Sequence, residues 1–170
     1  GKPLAFHSGF HWGDPSFLQL NRFISMHAIS FVHYSLIHLT NWVINGLPER
    51  FPKLKLVWVE SGLAWIPFIM QRLDHEFMMR VCEAPMLKRP PSEYIRAHCL
   101  WGFQFDRVGV ELRHKMGVDM LMWGSDFPHQ ESDWPESLKI IEQNFAGIPA
   151  DEKHKMVCGN AVEFFRLGTS

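Results

Sequence analysis

Short apolar runs alternate with helical patterns along the whole chain. Lys53–Glu60 begins with the alternation of a strand and ends as a continuous apolar run, which is typical of a strand buried on both faces. Three further apolar runs are predicted to be strands, at Pro3–His7, His98–Gln104 and Asp119–Asp126. The pattern therefore predicts four strands, each followed by helix.

Helical spacing fills the intervals between these runs. From Ser16 to Asn45, apolar residues recur every three to four positions, and Gly46 ends the pattern. Other helices are predicted at Gly62–Val81, after Pro90, at Arg107–Met116, at Trp134–Phe145, after Pro149 and from Asn160. In the last of these, Asn160 and Glu163 have the spacing of a capping box, and the helix is expected to end near Gly168.

Repeated strand–helix units predict right-handed βαβ connections and a parallel sheet. Four such units are consistent with an open doubly wound sheet and with half of a (β/α)8 barrel. Three of the four strands end in a polar residue that can bind a ligand, namely His7, Glu60 and Asp126. All strand ends converge at one end of a barrel, whereas an open sheet uses only those beside a switch point, so these residues favour the barrel.

The composition excludes several classes of protein. The 170 residues correspond to one domain or part of a larger one, and 46% hydrophobic with 21% charged residues is ordinary for a soluble globular protein. A net charge of -1 lacks the basic surface of a nucleic-acid-binding protein, and no apolar run approaches the roughly 20 residues that span a bilayer. Three scattered cysteines match neither a disulfide framework nor a zinc finger, so we expect a reducing, cytoplasmic compartment.

His7, Glu60 and Asp126 carry the nitrogen and oxygen donors that bind Zn²⁺, Mn²⁺ or Fe²⁺ in proteins. A bound divalent ion lowers the pKa of its water to about 7 and polarises substrate oxygens. Asp126 is then a candidate to orient that water or to take its proton. Glu60 is a candidate ligand, general base or partner of a metal-bound histidine. The alternative for each of the three is an ordinary role as a helix cap or loop hydrogen-bond partner.

Three more residues lie in or beside loops at the same end of the predicted sheet. His129 follows Asp126 closely and is either a catalytic acid or base, or a loop histidine that faces solvent. His11 follows the first strand and is a candidate contact for substrate or metal. Trp65 could supply an aromatic wall for an unsaturated substrate, although core packing is the simpler role. The other histidines are expected to be structural: His27, His33, His38, His75, His98, His114 and His154.

Two stretches of the chain are distinctive. Val57–Gly62, followed by Trp65, Pro67 and Arg72–Asp74, forms one motif, and Met122–His129 forms the other. They resemble strands 6 and 8 of the amidohydrolase 2 family, which includes the aminocarboxymuconate semialdehyde decarboxylase-like enzymes. The resemblance covers nearly the whole chain but only strands 5 to 8 of that family's TIM (β/α)8 barrel. It implies that residues 1–170 form the C-terminal half of such a barrel, as a single incomplete domain.

The resemblance also implies roles for individual residues. His7 and Asp126 correspond to the family's metal ligands on strands 5 and 8, and the aspartate also contacts the metal-bound water. Arg72 resembles the arginine that binds a substrate carboxylate, in some members across a dimer interface. Glu60 stands where the decarboxylases have an acid/base histidine, so its role stays open among ligand, base and partner of a histidine. The His-x-His pair of the family's first strand has no counterpart in this sequence.

These features together predict a metal-dependent enzyme. We expect hydrolysis or non-oxidative decarboxylation of a small carboxylated or cyclic substrate, with one divalent ion, Zn first and Mn or Fe as alternatives. A half barrel exposes two sheet edges, so we expect upstream strands or a second chain to complete it, in a homodimer or larger homo-oligomer. The competing hypothesis is a truncated or degenerate barrel without metal that acts as an interaction fragment. A doubly wound binding module is a third possibility, without a GxGxxG motif or P-loop to support it.

Overall fold

Four parallel strands form a single sheet in the order in which they occur along the chain. The computed structural model describes residues 2–9 and 13–168. Its strands are β1 (Leu4–His7), β2 (Leu56–Val59), β3 (Cys99–Phe103) and β4 (Leu121–Trp123). The sheet order is β1-β2-β3-β4, and every neighbouring pair is parallel. An order without a reversal has no topological switch point, so the sheet matches an arc of a barrel and not a doubly wound sheet.

Helices connect the strands and confirm the predicted alternation. They are α1 (Phe23–Ile44), α2 (Leu47–Arg50), α3 (Ile66–Met79), α4 (Pro91–His98), α5 (Arg107–Glu111), α6 (Arg113–Met116), α7 (Ser137–Asn144), α8 (Ala150–His154) and α9 (Asn160–Phe165). Short 3-10 turns lie at Pro15–Phe17, Val81–Glu83 and Val118–Met120, and a π-helical turn lies at Lys155–Gly159. Among the helices of the described residues, none has the length and apolar character that crossing a membrane requires.

The two faces of the sheet pack against different elements. On the face covered by helices, Trp58 and Trp101 stack with ring centroids 5.8 Å apart, and Phe6 stacks on Trp58 at 4.4 Å. These aromatic rings belong to the main hydrophobic core. We call the opposite side the inner face. There a second, smaller cluster packs near α9 and contains Val57, Leu100 and Met122.

The segment from Ser16 to Asn45, predicted as one or two helices, contains a short 3-10 turn and one long helix. Pro15–Phe17 forms a 3-10 turn capped by Asp14, and α1 begins only at Phe23. The Asp14 carboxylate accepts hydrogen bonds from the Ser16 backbone N–H (2.8 Å) and from the Tyr34 hydroxyl (2.6 Å). The hydrogen bond from Tyr34 is the main reason that the pKa of Asp14 is lowered, and it raises the pKa of Tyr34 to about 12.

The predicted capping box at Asn160 is wrong. Asn160 has helical backbone angles and continues directly from the π-helical turn, so it does not cap a helix end. Its side-chain Nδ2 instead donates to the carbonyl oxygens of Val118 and Leu121, both at 2.8 Å. Carbonyl oxygens that are shielded from water in this way require a hydrogen-bond donor. The local spacing of Asn160 and Glu163 does not reveal that Asn160 is that donor. The helix also ends earlier than predicted, at Phe165 instead of near Gly168.

Candidate metal-binding active site

Side chains from three strand ends meet at the carboxyl edge of the sheet. His7 is the last residue of β1, Glu60 follows β2, and Asp126 lies in the loop after β4. His7 Nε2 is 2.8 Å from Glu60 Oε1, a hydrogen-bond distance. All three residues line one cleft.

Glu60, Asp126 and His129 form a compact set of metal-ligand donors. One ligand atom from each lies within 4.8 Å of the corresponding atoms of the other two. His129 Nδ1 is also 2.9 Å from Asp126 Oδ1. Two carboxylates and an imidazole are donors for divalent ions of the Zn²⁺ and Mn²⁺ type, and three protein ligands are usual at catalytic zinc sites. The residues present therefore fit a divalent ion by number and by chemistry.

Glu60 and Asp126 approach each other across an intervening strand. Because β3 separates β2 from β4, those two strands lie about 9 to 10 Å apart. Both acids have left-handed backbone, with φ of 61° and 59°, which is uncommon for residues other than glycine. Gly102 of β3 also lines the cleft, and a Cβ at this position would lie 3.4 Å from the Trp58 carbonyl oxygen and from the Val59 side chain. The two acids that converge thus share an uncommon backbone conformation.

The cleft has a volume of about 940 Å³. Polar groups at its surface include the four residues His7, Glu60, Asp126 and His129. Much of the remaining lining is apolar and comes from α1 and from the loop after β3, in particular Phe23, Ala28, Phe31, Val32 and Phe105. A concave, largely apolar pocket with a few convergent polar groups is the usual form of a small-molecule site. Its aromatic lining suits a flat, unsaturated ligand.

Two residues predicted to bind substrate lie away from this cleft. Trp65 packs beside Trp101, with ring centroids 5.6 Å apart and planes at 90°. Its indole N–H donates to the carbonyl oxygen of Ser61 at 2.8 Å, so the described structure gives Trp65 a role in packing the loop after β2. Arg72 lies on α3, where its guanidinium forms an ion pair with Glu76 one turn further along. Neither lines the cleft, because α3 packs against the other face of the sheet.

The two remaining predicted histidines have different outcomes. His11 lies outside the described residues. His129 belongs to the donor set, yet its side chain is 64% exposed. It therefore lies at the candidate site and also faces solvent, the two positions that the sequence left open. The expectation that His98 is structural fits its position: it is buried, and its Nδ1 is 2.7 Å from the Leu54 carbonyl oxygen.

Sequence reasoning missed two residues that line the cleft. His27 was expected to be structural, yet it faces the cleft with its ring 5.1 Å from Phe23 and 5.2 Å from Phe31. The spacing of four residues between these rings along one helix was a visible signal. Gln104 follows β3 as Glu60 follows β2, so the strand-end argument applied to every strand would have identified it.

Solved structures share this fold. 5-Carboxyvanillate decarboxylase from Sphingomonas paucimobilis is 27% identical with a TM-score of 0.75, over 96% of this chain and 49% of that one. A dihydroxybenzoic acid decarboxylase from Polaromonas sp. JS666, with bound manganese and the inhibitor 2-nitroresorcinol, is 19% identical with a TM-score of 0.76, over 99% and 51% of the two chains. A 5-carboxyvanillate decarboxylase from Novosphingobium aromaticivorans DSM 12444, complexed with manganese and a nitrobenzoic acid, is 20% identical with a TM-score of 0.75, over 98% and 48%.

The chain thus spans about half the length of these structures. The strand order and the convergence of ligand-capable side chains at the strand ends agree with that likeness. A family model described as Amidohydrolase (Amidohydro_2) matches residues 1–167, which is nearly the whole sequence. The chain belongs to the amidohydrolase 2 family.

Proposed function

We propose that this chain carries a divalent metal site for decarboxylation or hydrolysis of a small carboxylated aromatic compound. The observation that carries the proposal is the set of donors from Glu60, Asp126 and His129 within 4.8 Å of one another. The solved structures named for decarboxylation of carboxyvanillate and dihydroxybenzoate support this class of substrate. Manganese in two of them supports Mn as a candidate ion, next to the Zn that the sequence led us to expect.

Under this proposal, His7, Glu60 and Asp126 have distinct roles around the ion. A bound divalent ion would supply positive charge that polarises substrate oxygens and stabilises developing negative charge. When Nε2 of His7 carries the proton, it donates to Glu60, and that hydrogen bond fixes the orientation of the His7 ring. Glu60 is therefore both a member of the candidate ligand set and the partner of a histidine. Asp126 and His7 remain the proposed ligands that the family resemblance implies.

Proton transfer falls to Asp126 and His129. In hydrolysis, the Asp126 carboxylate would orient the attacking water or accept its proton. In decarboxylation, the carbon that loses CO₂ must take up a proton. His129 is the candidate donor where His7 and Asp126 hold the ion, because a metal-bound imidazole does not supply that proton. His129 Nδ1 lies 2.9 Å from Asp126 Oδ1, so the two side chains would act at the same point of the cleft.

Substrate recognition would use the apolar lining and a partner subunit. The aromatic side chains of the cleft would hold the ring of the substrate. Because Arg72 lies outside the cleft of its own chain, its proposed contact with a substrate carboxylate requires a second subunit. This requirement agrees with the expected homodimer or larger oligomer.

We also propose that the chain supplies strands 5 to 8 of a barrel that further strands complete. In the described sheet, β1 and β4 each have a single strand neighbour, and Leu4 and Ala5 of β1 are exposed. Such edges favour pairing with additional strands, which an upstream segment or a second chain would provide.

Metal content measured by elemental analysis of the purified chain tests this function. We expect near-stoichiometric Zn or Mn in the natural sequence and loss of the ion in the Asp126→Ala and His7→Ala variants. His75→Ala, which removes an exposed histidine on α3, is the matched control and should keep the ion. Loaded protein would then be incubated with carboxylated phenols while release of CO₂ is followed. A folded chain that stays free of metal after reconstitution would instead support the interaction-fragment hypothesis.

A further inference from the structure

A chain of polar contacts runs behind the cleft from the loop after β2 to the loop after β4. Its members are Asp106, Asn144, Gln104 and Asp133, and we call them the polar bridge. Each link is a hydrogen bond to backbone or to the next member of the bridge. The bridge therefore joins the segment that follows Glu60 to the segment that contains Asp126 and His129.

Asp106 holds the first end of the polar bridge. Its Oδ2 accepts hydrogen bonds from the backbone N–H groups of Leu63 (2.5 Å) and Ala64 (3.1 Å), just after Glu60. Its Oδ1 accepts from the Gly109 N–H at 2.7 Å and so caps α5. One carboxylate thus fixes the loop after β2 to the start of the helix after β3.

Asn144 forms the middle of the polar bridge. It ends α7 and is fully buried. Its Oδ1 accepts from the Asp106 backbone N–H at 3.1 Å, and its Nδ2 donates to the Gln104 carbonyl oxygen at 2.9 Å. Both ends of one amide therefore fix the backbone that leaves β3.

Gln104 and Asp133 complete the bridge on the other side. Gln104 Nε2 donates to Asp133 Oδ1 at 2.8 Å and to the Glu131 carbonyl oxygen at 2.6 Å. The Asp133 backbone N–H donates to the Ser125 carbonyl oxygen at 3.0 Å, next to Asp126. These contacts fix both ends of the loop that carries Asp126 and His129.

We infer that the polar bridge sets the separation of Glu60 from Asp126 and His129, and that Asp106 and Asn144 are positioning residues for the metal site. The inference rests on the proposed function. Because β2 and β4 are not neighbours, no strand ladder joins them directly, and the donors project beyond the strand ends. Asp106 and Asn144 do not line the cleft, so they act through the loops and not by touching an ion or a substrate.

Metal affinity of two variants tests the inference. Asp106→Asn keeps the size of the side chain but removes the charge and one acceptor, and Asn144→Leu removes both amide hydrogen bonds. Mn²⁺ titration of each purified chain gives a Kd, and the visible spectrum of the Co²⁺-loaded protein reports the ligand geometry. We expect the Kd for Mn²⁺ to rise about tenfold or more, as for loss of other residues that orient ligands from outside the coordination sphere. The Co²⁺ spectrum should change as well.

Two matched controls separate positioning from stability. Asp74 accepts a hydrogen bond from the Ser92 backbone N–H at 2.8 Å, between α3 and α4, so Asp74→Asn weakens a similar contact away from the site by removing its charge. Asn160 is a buried asparagine that holds two carbonyls at the opposite end of β4, so Asn160→Leu matches Asn144→Leu. Both controls should lower the thermal midpoint and leave the Kd and the Co²⁺ spectrum unchanged.

Each outcome has a separate meaning. Unchanged affinity in folded Asp106→Asn and Asn144→Leu chains, with normal Mn²⁺ binding in the natural sequence, would overturn the inference and leave the proposed function intact. Equal loss of affinity in the controls would also overturn it, because the effect would then be one of general stability. A natural sequence that binds no Mn²⁺ would overturn the proposed function together with the inference. If Asn144→Leu does not fold, the conservative Asp106→Asn decides.

Discussion

At the scale of single residues, the two acids of the site adopt backbone angles that most side chains avoid. Glu60 and Asp126 both lie at positive φ, which costs of order 1 kcal/mol or more for residues other than glycine. Asparagine and aspartate tolerate this region better than most residues. Other interactions in the folded chain must therefore offset this conformational free energy. The strained backbone accompanies the close approach of the two carboxylates.

Asp126→Asn should separate the fold from the function. Asparagine accepts the left-handed backbone, so we expect an unchanged thermal midpoint, whereas the lost charge should raise the Kd for Mn²⁺ by more than about tenfold. Calorimetric titration and thermal unfolding of the same samples measure both quantities. Asp151→Asn, an exposed position in α8, is the control and should match the natural sequence in both. Equal metal affinity in Asp126→Asn would argue against Asp126 as a ligand.

Asp133 should make stability depend on pH. Burial raises its pKa above the ordinary value of 3.8, and this effect outweighs the hydrogen bond from Gln104, which lowers the pKa. Between 3.8 and the raised pKa the folded chain binds more protons than the unfolded chain, so this residue's contribution to stability falls as pH rises through that window. Asp133→Asn lacks this loss while its amide oxygen can still accept the hydrogen bond from Gln104.

Urea unfolding of the natural sequence and of Asp133→Asn, from below pH 3.8 up to neutral pH, measures this effect. We expect the free energy of unfolding of the variant, minus that of the natural sequence, to increase as pH rises from 3.8. Above the raised pKa of Asp133 this difference should stay constant. Titrating groups that do not interact with Asp133 are common to both chains and cancel in the difference. A difference that does not change with pH would show that burial does not shift the pKa of Asp133.

At the scale of elements, periodicity identified the strands and helices because burial on one or both faces imposes it. Lys53–Glu60 contains β2, and the aromatic residue Trp58 sits in the main core as a strand buried on both faces requires. The error at Asn160 has a different origin. A capping box is a local pattern, but the carbonyls that Asn160 satisfies are 39 and 42 residues away in the sequence. Local spacing cannot reveal such a partner.

Asn160→Ala should destabilise the chain through those carbonyls. Removal of Nδ2 leaves the buried oxygens of Val118 and Leu121 without this donor, at a cost of about 1–3 kcal/mol for a buried polar group. Chemical denaturation gives the change in the free energy of unfolding. Asn41→Ala, on the exposed surface of α1, should change it far less. A loss as small as that of Asn41→Ala would mean that water replaces the missing donor.

The same distinction explains how much of the site could be predicted. His7, Glu60 and Asp126 were found because strand ends in parallel sheets converge, a rule that acts on sequence position alone. The polar bridge was not found, because Asp106 and Asn144 are defined by which backbone groups need partners after the chain has folded. Contacts of that kind depend on packing and leave no periodic trace in the sequence.

At the scale of the whole molecule, β1 is an edge strand of the sheet that the described residues form. The Leu4 N–H donates to the Lys55 carbonyl oxygen at 3.0 Å, within the pairing of β1 with β2. Alternate residues of a strand direct their N–H groups to opposite sides, so the N–H of Ala5 points away from β2. An outward row of unpaired N–H and C=O groups on an apolar strand is a template for another strand.

Ala5→Pro should therefore weaken association without disrupting the sheet. We expect light scattering of the 170-residue chain to give masses that are multiples of 19.9 kDa, because exposed edges pair with each other when no other strand covers them. Proline at position 5 removes the outward N–H only, and this is the placement that edge strands tolerate, so the associated fraction should fall while the thermal midpoint is kept. Leu4→Pro removes the N–H that bonds to Lys55 and should instead lower the midpoint.

Association that persists in Ala5→Pro would place the contact at β4 or on a helical surface. A natural chain that is monomeric at every concentration would mean that the β1 edge does not recruit a strand from a second copy, and that completion of the barrel depends on additional sequence.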